Sequence, residues 1–490
     1  MNIVRNTIQK MFQNPFLGCL SVVLGLTGLL TLFSTFQSIF FPYQIDYVEG
    51  MMLNHAGYFL EGTPPYLPIS QFPYIACPYT PLFLMIYAGF ISMFGPSLVL
   101  GRLLVFGSYG VCLVMVYLIL RHLTKEKHGA FPVIMGTVLF GITQYVLLWS
   151  FLLRTDMMAL MWTSMGLYWV MRFKYRRLVF IAVLFFLAAY FTKQTYLMAP
   201  ISVMIMMFIS HRKKGLLFAA LFGFGLLIIS GILNTVTDGQ YLLHTIAYNL
   251  NDFRVVFLIN GLLTFVLKHS VMTAFSIVGV IWTLKKRQGR LISLYVLLTF
   301  FAGITCGKVG SDTNYFLEVI MGMGILTGLG LKDITVSLKT PVVYHLVLSL
   351  LIIQSVVFLF EQSKYRYYVQ PIMDVNSQKQ LVKHMDKIDG PILSENMGLL
   401  AITHRKVPYQ PFIMTQLYQQ GVWQQDGFLA QLKNQYYKAI ILSFHSPMEN
   451  YRYSLRTKSR FTQEMIHLID EKYASVEKFG EYHLYRPKNN

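Results

Sequence analysis

The sequence predicts a polytopic α-helical membrane protein of about eleven transmembrane helices, within a range of eleven to thirteen, followed by a small α/β domain outside the membrane. Three observations carry this. Hydrophobic residues make up 55% of the 490 positions and charged residues only 13%, against roughly 25% charged in a soluble domain. Apolar runs long enough to cross ~30 Å of hydrocarbon, about twenty residues at helical rise, recur along the first three quarters of the chain. The formal charge of +19 is gathered in short basic clusters between those runs, which marks membrane orientation rather than a nucleic-acid surface.

The spans are expected near 17–41, 98–120, 130–152, 156–172, 178–192, 195–210, 215–236, 269–284, 290–306, 315–331 and 341–361. The N-terminal stretch MNIVRNTIQKMFQNPF is basic and then apolar; the run after it is too long for a signal peptide and lacks a small-residue cleavage site, so it stays as the first span. With a cytoplasmic N-terminus, the clusters Arg5/Lys10, Arg121 to Lys127, Arg172 to Arg177, His211 to Lys214, Lys285 to Arg290 and Lys332 to Lys339 all fall inside, as the positive-inside rule expects. The segment 79–94, YTPLFLMIYAGFISMF, would invert every later cluster if it crossed. It is read as an interfacial helix within a first outer loop of 42–97. The run 254–267, RVVFLINGLLTFVL, is read with the same caution; if one of the two crosses, the other must too. Cys19, Cys77, Cys112 and Cys306 have no paired spacing and are read as free thiols.

Composition changes after Glu361, dividing the chain into a transmembrane domain, 1–361, and a soluble extracytoplasmic α/β domain, 362–490. In the latter, Ile392 to Glu395 and Ala439 to Phe444 read as short buried strands. Helical patterns are expected around 412–421 and 426–436, and a hairpin from Tyr473 to Phe479 through Gly480-Glu481 to Tyr482–Tyr485. No internal repeat is visible, which weighs against a transporter.

Ionisable groups near a membrane are costly and usually pair or serve function. Four polar clusters fall at outer helix ends: Asp46-Tyr47-Val48-Glu49-Gly50, Arg154-Thr155-Asp156, Thr192-Lys193-Gln194-Thr195 and Gly307 to Glu318, GKVGSDTNYFLE. Each has a bland reading. Arg154 and Asp156 fit a local ion pair with a helix cap, Lys193 fits snorkelling, Asp312 or Asn314 a cap, and Asp46 and Glu49 a solvated loop. Their joint occurrence at one membrane depth is what a catalytic cleft needs. Lysine and arginine there suit a lipid phosphate, and a nearby carboxylate can take the proton of an attacking hydroxyl. Neither a G-x-x-x-x-G-K-[ST] loop nor a G-x-G-x-x-G turn is present, which argues against a nucleotide donor.

The order of these motifs resembles the GT-C superfamily. It comprises an acidic residue after the first span, a loop of Tyr-x-x-Pro character, R-x-D, K-Q-T, and Asn314-Tyr315-Phe316-Leu317-Glu318. More narrowly it is similar to the dolichyl-phosphate-mannose protein mannosyltransferase and aminoarabinose transferase branch, over residues 1 to about 361. The resemblance implies transfer of a sugar from a polyprenyl-phosphate donor to an acceptor hydroxyl on the outer face, with inversion. It implies a catalytic role for the acidic residue Asp46, as the general base that deprotonates the acceptor hydroxyl, with Glu49 as a neighbour that binds a metal or orients the acceptor. Lys193 and Arg154 are expected to bind the donor phosphate, and Asp156, Gln194, Asn314, Tyr315 and Glu318 are further site candidates. Aminoarabinose transferases carry an acidic-lysine-proline-proline run in the first outer loop. Here Cys77-Pro78-Tyr79-Thr80-Pro81-Leu82 stands in its place and the lysine is missing, which throws weight onto Lys193 and Arg154. His55 is weighed as a ligand against a polar loop residue; no resident cofactor follows, and a divalent metal is left open. The expected partners are a polyprenyl-phosphate sugar, a glycan, lipid or protein acceptor, and membrane lipids, with no nucleic acid. The expected location is the plasma membrane. A transporter or flippase of lipid-linked glycans, and a scaffold displaying the C-terminal domain, are the competing readings.

Overall fold

A computed structural model of the chain describes residues 35–124, 131–173, 176–337, 341–369, 374–443 and 460–488, with positions 25, 28, 29 and 33. Most of the expected first span, and Arg5, Lys10, Cys19, Lys125, Lys127, Lys174, Lys339 and Phe444, lie outside the described residues.

Each expected span from 98 onward contains a helix: Leu98–Thr124, the pair Phe131–Ile142 and Gln144–Phe151, Asp156–Phe173, Ala182–Thr192, Met198–Ser210, Arg212–Val236, Ser270–Lys286, Arg290–Ala302, Leu317–Ser337 and Pro341–Val369. Their lengths differ. Among the described residues, four helical stretches are long and apolar enough to cross a membrane alone: Leu98–Thr124, Arg212–Val236, Arg290–Gly307 and Thr313–Lys332. The count rises to six if two bent pairs, hinged by 61° at 142–144 and by 82° at 268–270, each form one span. Of the expected eleven, most of the first span lies outside the described residues, and the last has a continuous run of described side chains only over Ser349–Gln362; others fall short for physical reasons. Asp156–Phe173 begins on a carboxylate and carries Arg172 in its last turn. Helices of 11 and 13 residues at Ala182–Thr192 and Met198–Ser210 reach only about 17 and 20 Å.

The two doubtful apolar runs are both short helices, Pro81–Phe94 and Val255–Lys268, of 14 residues each. The second meets the next helix nearly at a right angle, and Gln354 braces the corner. Its Oε1 accepts from the Val271 and Met272 amides at 3.1 and 3.3 Å, and its Nε2 donates to the Lys268 carbonyl at 2.8 Å. The break therefore leaves these backbone groups partnered.

Helix contacts in the bundle rely on missing side chains. A Cβ on Gly136 would come within 2.6 Å of the Gly324 carbonyl oxygen, and one on Gly279 within 2.1 Å of the Leu326 oxygen. These close approaches are typical of helices packing in lipid. Arg212–Val236 lies at the periphery, with Leu216, Leu221, Phe224, Leu227 and Ile232 exposed; so long an apolar face suits a lipid environment. The basic residues collect at one end of the bundle. Lys332 donates to the Thr124 carbonyl at 3.1 Å and lies 5.1 Å from the Trp282 ring, and residues of the 172–176, 211–214 and 286–290 clusters surround one cavity.

The last long helix runs on to Val369, so the change of composition at 362 falls within it. Beyond it, Asp374 caps the Val375–Asp386 helix, and a four-stranded sheet follows: β1 Ile392–Ser394, β2 Ala439–Ser443, β3 Tyr473–Phe479 and β4 Tyr482–Pro487, in the order β1-β2-β4-β3. Strands β1 and β2 are parallel; the other pairs are antiparallel. Alternation along β2 serves two cores. Ala439 and Ile441 join a cluster continuous with the helical bundle, whereas Ile440 and Leu442 pack among Tyr409, Phe428 and Met465. The helices expected at 412–421 and 426–436 are Pro411–Gln419 and Asp426–Lys433.

This sheet unit is clamped onto the segment 42–97. Gly50, on the Tyr47–Leu60 helix, packs so closely on the Gly398 amide that a Cβ would lie 2.2 Å from it. The Gly398 amide donates to Gln44 at 2.9 Å, and Tyr74 forms a parallel bridge with Tyr409. Gln410 completes the clamp: its Oε1 accepts from the Ala76 amide at 2.9 Å, and its Nε2 donates to His55 Nε2 at 2.7 Å. His244 is also neutral by its partners, accepting from the Cys77 amide at Nδ1 (2.9 Å) and donating from Nε2 to the Leu67 carbonyl (2.8 Å). Burial lowers His55 to about 3, helped by the nearby His244, and lowers His244 to about 4.

The sign of the pH effect follows. An unfolded histidine titrates near 6.5, so below that value protons favour the unfolded chain. Stability is complete above about pH 6.5 and is lost as pH falls toward the folded values, by about 1.4 kcal/mol per pH unit for each histidine. Thermal midpoints of the purified protein should be flat from pH 8 to 7, on the order of these reference values, and fall steadily between about 6.5 and 5. A His55→Asn/His244→Gln variant should show a shallower acid limb; an identical limb would assign the acid sensitivity to other groups.

Candidate active site

The end of the bundle opposite the basic cavity holds a cleft of about 160 Å³, room on the order of ten water-sized centres. Its polar walls include Arg154, Lys193, Gln194, Lys308, Asp312 and Asn314, with Tyr79 and Tyr315 among the rings. All four polar clusters singled out in the sequence therefore reach one place.

The first cluster splits into two roles. Asp46 caps the Tyr47–Leu60 helix, its Oδ1 accepting from the Val48 amide at 3.1 Å. The same oxygen accepts from Arg154 Nε at 2.7 Å and pairs with its terminal nitrogen at 2.6 Å. Asp46 keeps 22% of its side chain accessible and stands beside the cleft, behind Arg154. Burial raises its carboxyl above the ordinary carboxylate range; Arg154 opposes this, and Glu49 and Asp312 add to it. Glu49 faces elsewhere. It is fully buried and forms a two-pronged pair with Arg102, at 2.8 and 2.6 Å. Its oxygens also accept from the amides of Ile45 (2.7 Å), Asp46 (3.2 Å) and Leu153 (3.0 Å). A carboxylate so engaged has no face turned to a metal or an acceptor. Among the described residues, no group of three His, Cys, Asp or Glu is arranged to hold a metal ion.

Arg154 follows directly on the turn that Glu49 anchors. Its guanidinium lies 4.9 Å from the Trp149 ring, whose Nε1 donates to Thr313 Oγ1 at 2.9 Å. Two residues on, Asp156 opens its helix and pairs with Lys193; Asn314 Nδ2 donates to the same oxygen at 2.9 Å, and Tyr196 donates to the Asp156 carbonyl at 3.0 Å. Lys193 also lies 5.6 Å from the Tyr315 ring. Gln194 ties two loops together, donating to the carbonyls of Pro78 (2.7 Å) and Thr245 (2.9 Å). Glu318 is apart from the cleft walls, accepting from Tyr295 at 3.2 Å inside the bundle. His55 belongs to the clamp described above and not to a ligand set.

Three groups with no assigned role in the sequence reading stand out. Lys308 lines the cleft, and among the described residues no carboxylate lies within ion-pair distance of it. Its loop is held by an antiparallel bridge to Phe253 and by the Val309 amide donating to the Asp252 carbonyl at 2.8 Å; Gly310 turns it with φ of +81°, against the Phe412 ring. Arg460, from the C-terminal unit, also lines the cleft, pairing with Glu395 at 2.5 Å and lying 5.0 Å from the Tyr47 ring. Arg102 is the third, buried inside the Leu98–Thr124 helix. Lys308 belongs to the GKVGSDTNYFLE motif, and a charge inside an apolar span is a signal for Arg102. Arg460 has no local signal. The Ser394-Glu395-Asn396 run supports structure: Asn396 caps the Met397–Ile402 helix and Glu395 holds Arg460 and Ser443.

Solved structures share this arrangement of helices and sheet. Crystal structures of ArnT from Cupriavidus metallidurans, bound to undecaprenyl phosphate and in the apo state, superpose with a TM-score of 0.59 at 12% identity, covering 95% of this chain and 97% and 98% of theirs. The Archaeoglobus fulgidus oligosaccharyltransferase in complex with Zn and sulfate gives 0.53 at 13% identity, over 95% of this chain and 73% of that one. The same organism's AglB, in complex with an inhibitory peptide and a dolichol-phosphate, gives 0.50 at 11%, over 96% and 74%. No protein-family profile and no curated protein matches the sequence. The likeness is one of fold: the chain shares the fold of these structures, and among its described residues it carries helices long and apolar enough to cross a membrane.

Removing one partner of a buried, hydrogen-bonded ion pair costs about 3–5 kcal/mol. Glu49→Gln and Arg102→Met should therefore each lower the thermal midpoint sharply or abolish folding, and the Glu49→Gln/Arg102→Gln pair should recover part of the loss. Single variants as stable as the parent would remove the pair from its anchoring role.

Proposed function

We propose that the protein transfers a sugar from a polyprenyl-phosphate-linked donor to an acceptor hydroxyl, on the extracytoplasmic side of the membrane and with inversion at the anomeric carbon. One observation carries this reading: Tyr47 and Val48, Arg154, Lys193 and Gln194, and Lys308, Asp312 and Asn314, from four distant chain segments, line one cleft at the end of an apolar bundle, with Asp46 and Asp156 paired to two of its cations. ArnT and AglB, the structural neighbours, bind undecaprenyl phosphate and dolichol-phosphate, which supports a lipid-phosphate donor here.

In this reading the N-terminus is cytoplasmic, eleven helices cross, and the basic end faces the cytoplasm while residues 362–490 lie outside. The donor phosphate sits among Lys308, Lys193 and Arg154. Among the described residues Lys308 has no carboxylate within ion-pair distance, so it is the cation readiest to take an anion. Arriving phosphate competes with Asp46 for Arg154. The carboxylate released from Arg154 then accepts the proton of the attacking hydroxyl, the C–O bond to the acceptor forms as the bond to phosphate oxygen breaks, and the lipid phosphate leaves as an anion held by the cations. Asp156 and Asn314 orient Lys193. The acceptor approaches past Phe412, Gln416 and Arg460 of the C-terminal unit, which form the other wall of the cleft.

Asp46→Asn keeps shape and removes basicity, so turnover with a polyprenyl-phosphate sugar should fall by about 10²-fold or more while donor binding persists. Turnover above about a tenth of the parent's, well short of a general-base contribution, would move the role to Asp312 or Asp156. Charge-assisted contacts contribute roughly 1.5–3 kcal/mol, so Lys308→Met should weaken polyprenyl-phosphate binding about ten-fold or more in calorimetric titration. Unchanged affinity would place the phosphate away from Lys308. Lys193→Met is a less clean test, because it strands the Asp156 charge.

A further inference from the structure

At the basic end of the bundle the same helices enclose a second and larger cavity, of about 720 Å³. The Asp156–Phe173 helix, 18 residues long, separates it from the cleft by about 27 Å. Arg172, Arg176, Lys214, Lys286, Arg287 and Arg290 all line it, and none of the lining residues is acidic. Among the described residues none of these six cations has an ion-pair partner. Arg290 is tied back to the Leu284 carbonyl at 3.2 Å, yet its Nε is buried with no hydrogen-bond partner.

An excess of basic residues at one end explains a positive surface; it does not require that they converge around a hollow. Like charges gathered in a recess repel more strongly than in open water, so the arrangement is satisfied by an anion. The rest of the lining says which kind. Val170, Met171, Val203, Met206 and Met207 form an apolar wall, and on the helix carrying the last three, Ile205, Phe208 and Ile209 are exposed toward the lipid-facing side. A free phosphate would use the cations and leave that wall idle. A molecule with an anionic head and hydrocarbon tails uses both.

We propose that this cavity binds the phosphate headgroup of an anionic phospholipid, with its acyl chains along the 198–210 helix. The site stands apart from the sugar-transfer reading, and neither requires the other.

The test uses the full-length protein in neutral detergent, incubated with phosphatidylglycerol or, in parallel, with zwitterionic phosphatidylcholine of the same chains, and bound lipid counted by native mass spectrometry. The parent should retain phosphatidylglycerol at least about ten-fold better than phosphatidylcholine, and Arg172→Gln/Lys214→Gln/Arg290→Gln should lose that preference, the effect expected from removing charge-assisted contacts. A variant losing the same charge elsewhere, Lys379→Gln/Lys383→Gln/Lys433→Gln, should retain the lipid. Salt gives the same test without substitution, since at about 1 M the Debye length is about 3 Å and the preference should collapse. Equal retention of the two lipids, or full retention by the cavity variant, would overturn the proposal. Displacement of phosphatidylglycerol by millimolar inorganic phosphate would also overturn it, reassigning the cavity to a free anion.

Discussion

The buried pair of Glu49 and Arg102 is the constraint on which the polar end of the molecule depends. Arg102 sits inside an apolar helix, where an isolated cation would cost several kcal/mol. Four of its five N–H donors are satisfied: two bonds go to Glu49, and the others reach the carbonyls of Phe41 and, at 2.6 Å, Tyr43. Glu49 in turn gathers the amides of Ile45, Asp46 and Leu153. Two chain segments, 41–49 and the turn at Leu153, are thereby locked to one helix. Asp46 lies three positions before Glu49 and Arg154 one position after Leu153, so the pair that borders the cleft inherits its geometry from the pair behind it. A charge that would be a liability in a membrane becomes the fixed point of a site.

The same logic extends outward to the sheet. The Tyr47–Leu60 helix begins at Asp46, and its first turns carry Tyr47, whose hydroxyl accepts from the Phe412 amide at 3.1 Å, and Gly50, against which Gly398 packs. One short helix therefore connects the buried ion pair, the cleft and the C-terminal unit. Because the buried cluster runs without a break from the bundle through Met397 and Leu399 to Ile441 and Leu484, the sheet is held as a wall of the cleft and not as a tethered appendage. The neutral histidines beside Gln410 add an acid-sensitive component to that attachment.

How much of this was legible follows from the range of the interactions. The hairpin 473–487 and the strands at 392 and 439 were readable because alternation and turn chemistry are local. Convergence of the four polar clusters was readable because a common depth restricts helix ends to one layer. What escaped depended on contacts between distant residues. Glu49, read as a metal or acceptor group, is the counter-charge of Arg102, 53 positions away; the arginine inside an apolar run was the available clue. Lys193 has Asp156 as an ion-pair partner, whereas among the described residues no carboxylate lies within ion-pair distance of Lys308, a difference invisible in the sequence. Arg460 reaches the cleft through the packing of a whole domain. The bend at 268–270 depends on Gln354, more than eighty positions on, so the run before it carries no mark of its angle.

Asp156 and Asp46, the two carboxylates paired with cations of the cleft wall, differ in how firmly they are held. Asp156 is 1% exposed and accepts from Lys193 and Asn314 together, so its charge is matched in place. Asp46 is 22% exposed and is paired only with Arg154, a cation that itself faces the cleft. An arriving anion therefore has opposite consequences for the two. It leaves Asp156 engaged by Asn314 and by a lysine pinned against Tyr315, while it draws Arg154 away from Asp46 and raises the basicity of a carboxylate that burial has already pushed upward. In the proposed reaction this links donor binding to activation of the base. In the same reading, without donor Asp46 stays paired with Arg154 and is held back from water entering the cleft.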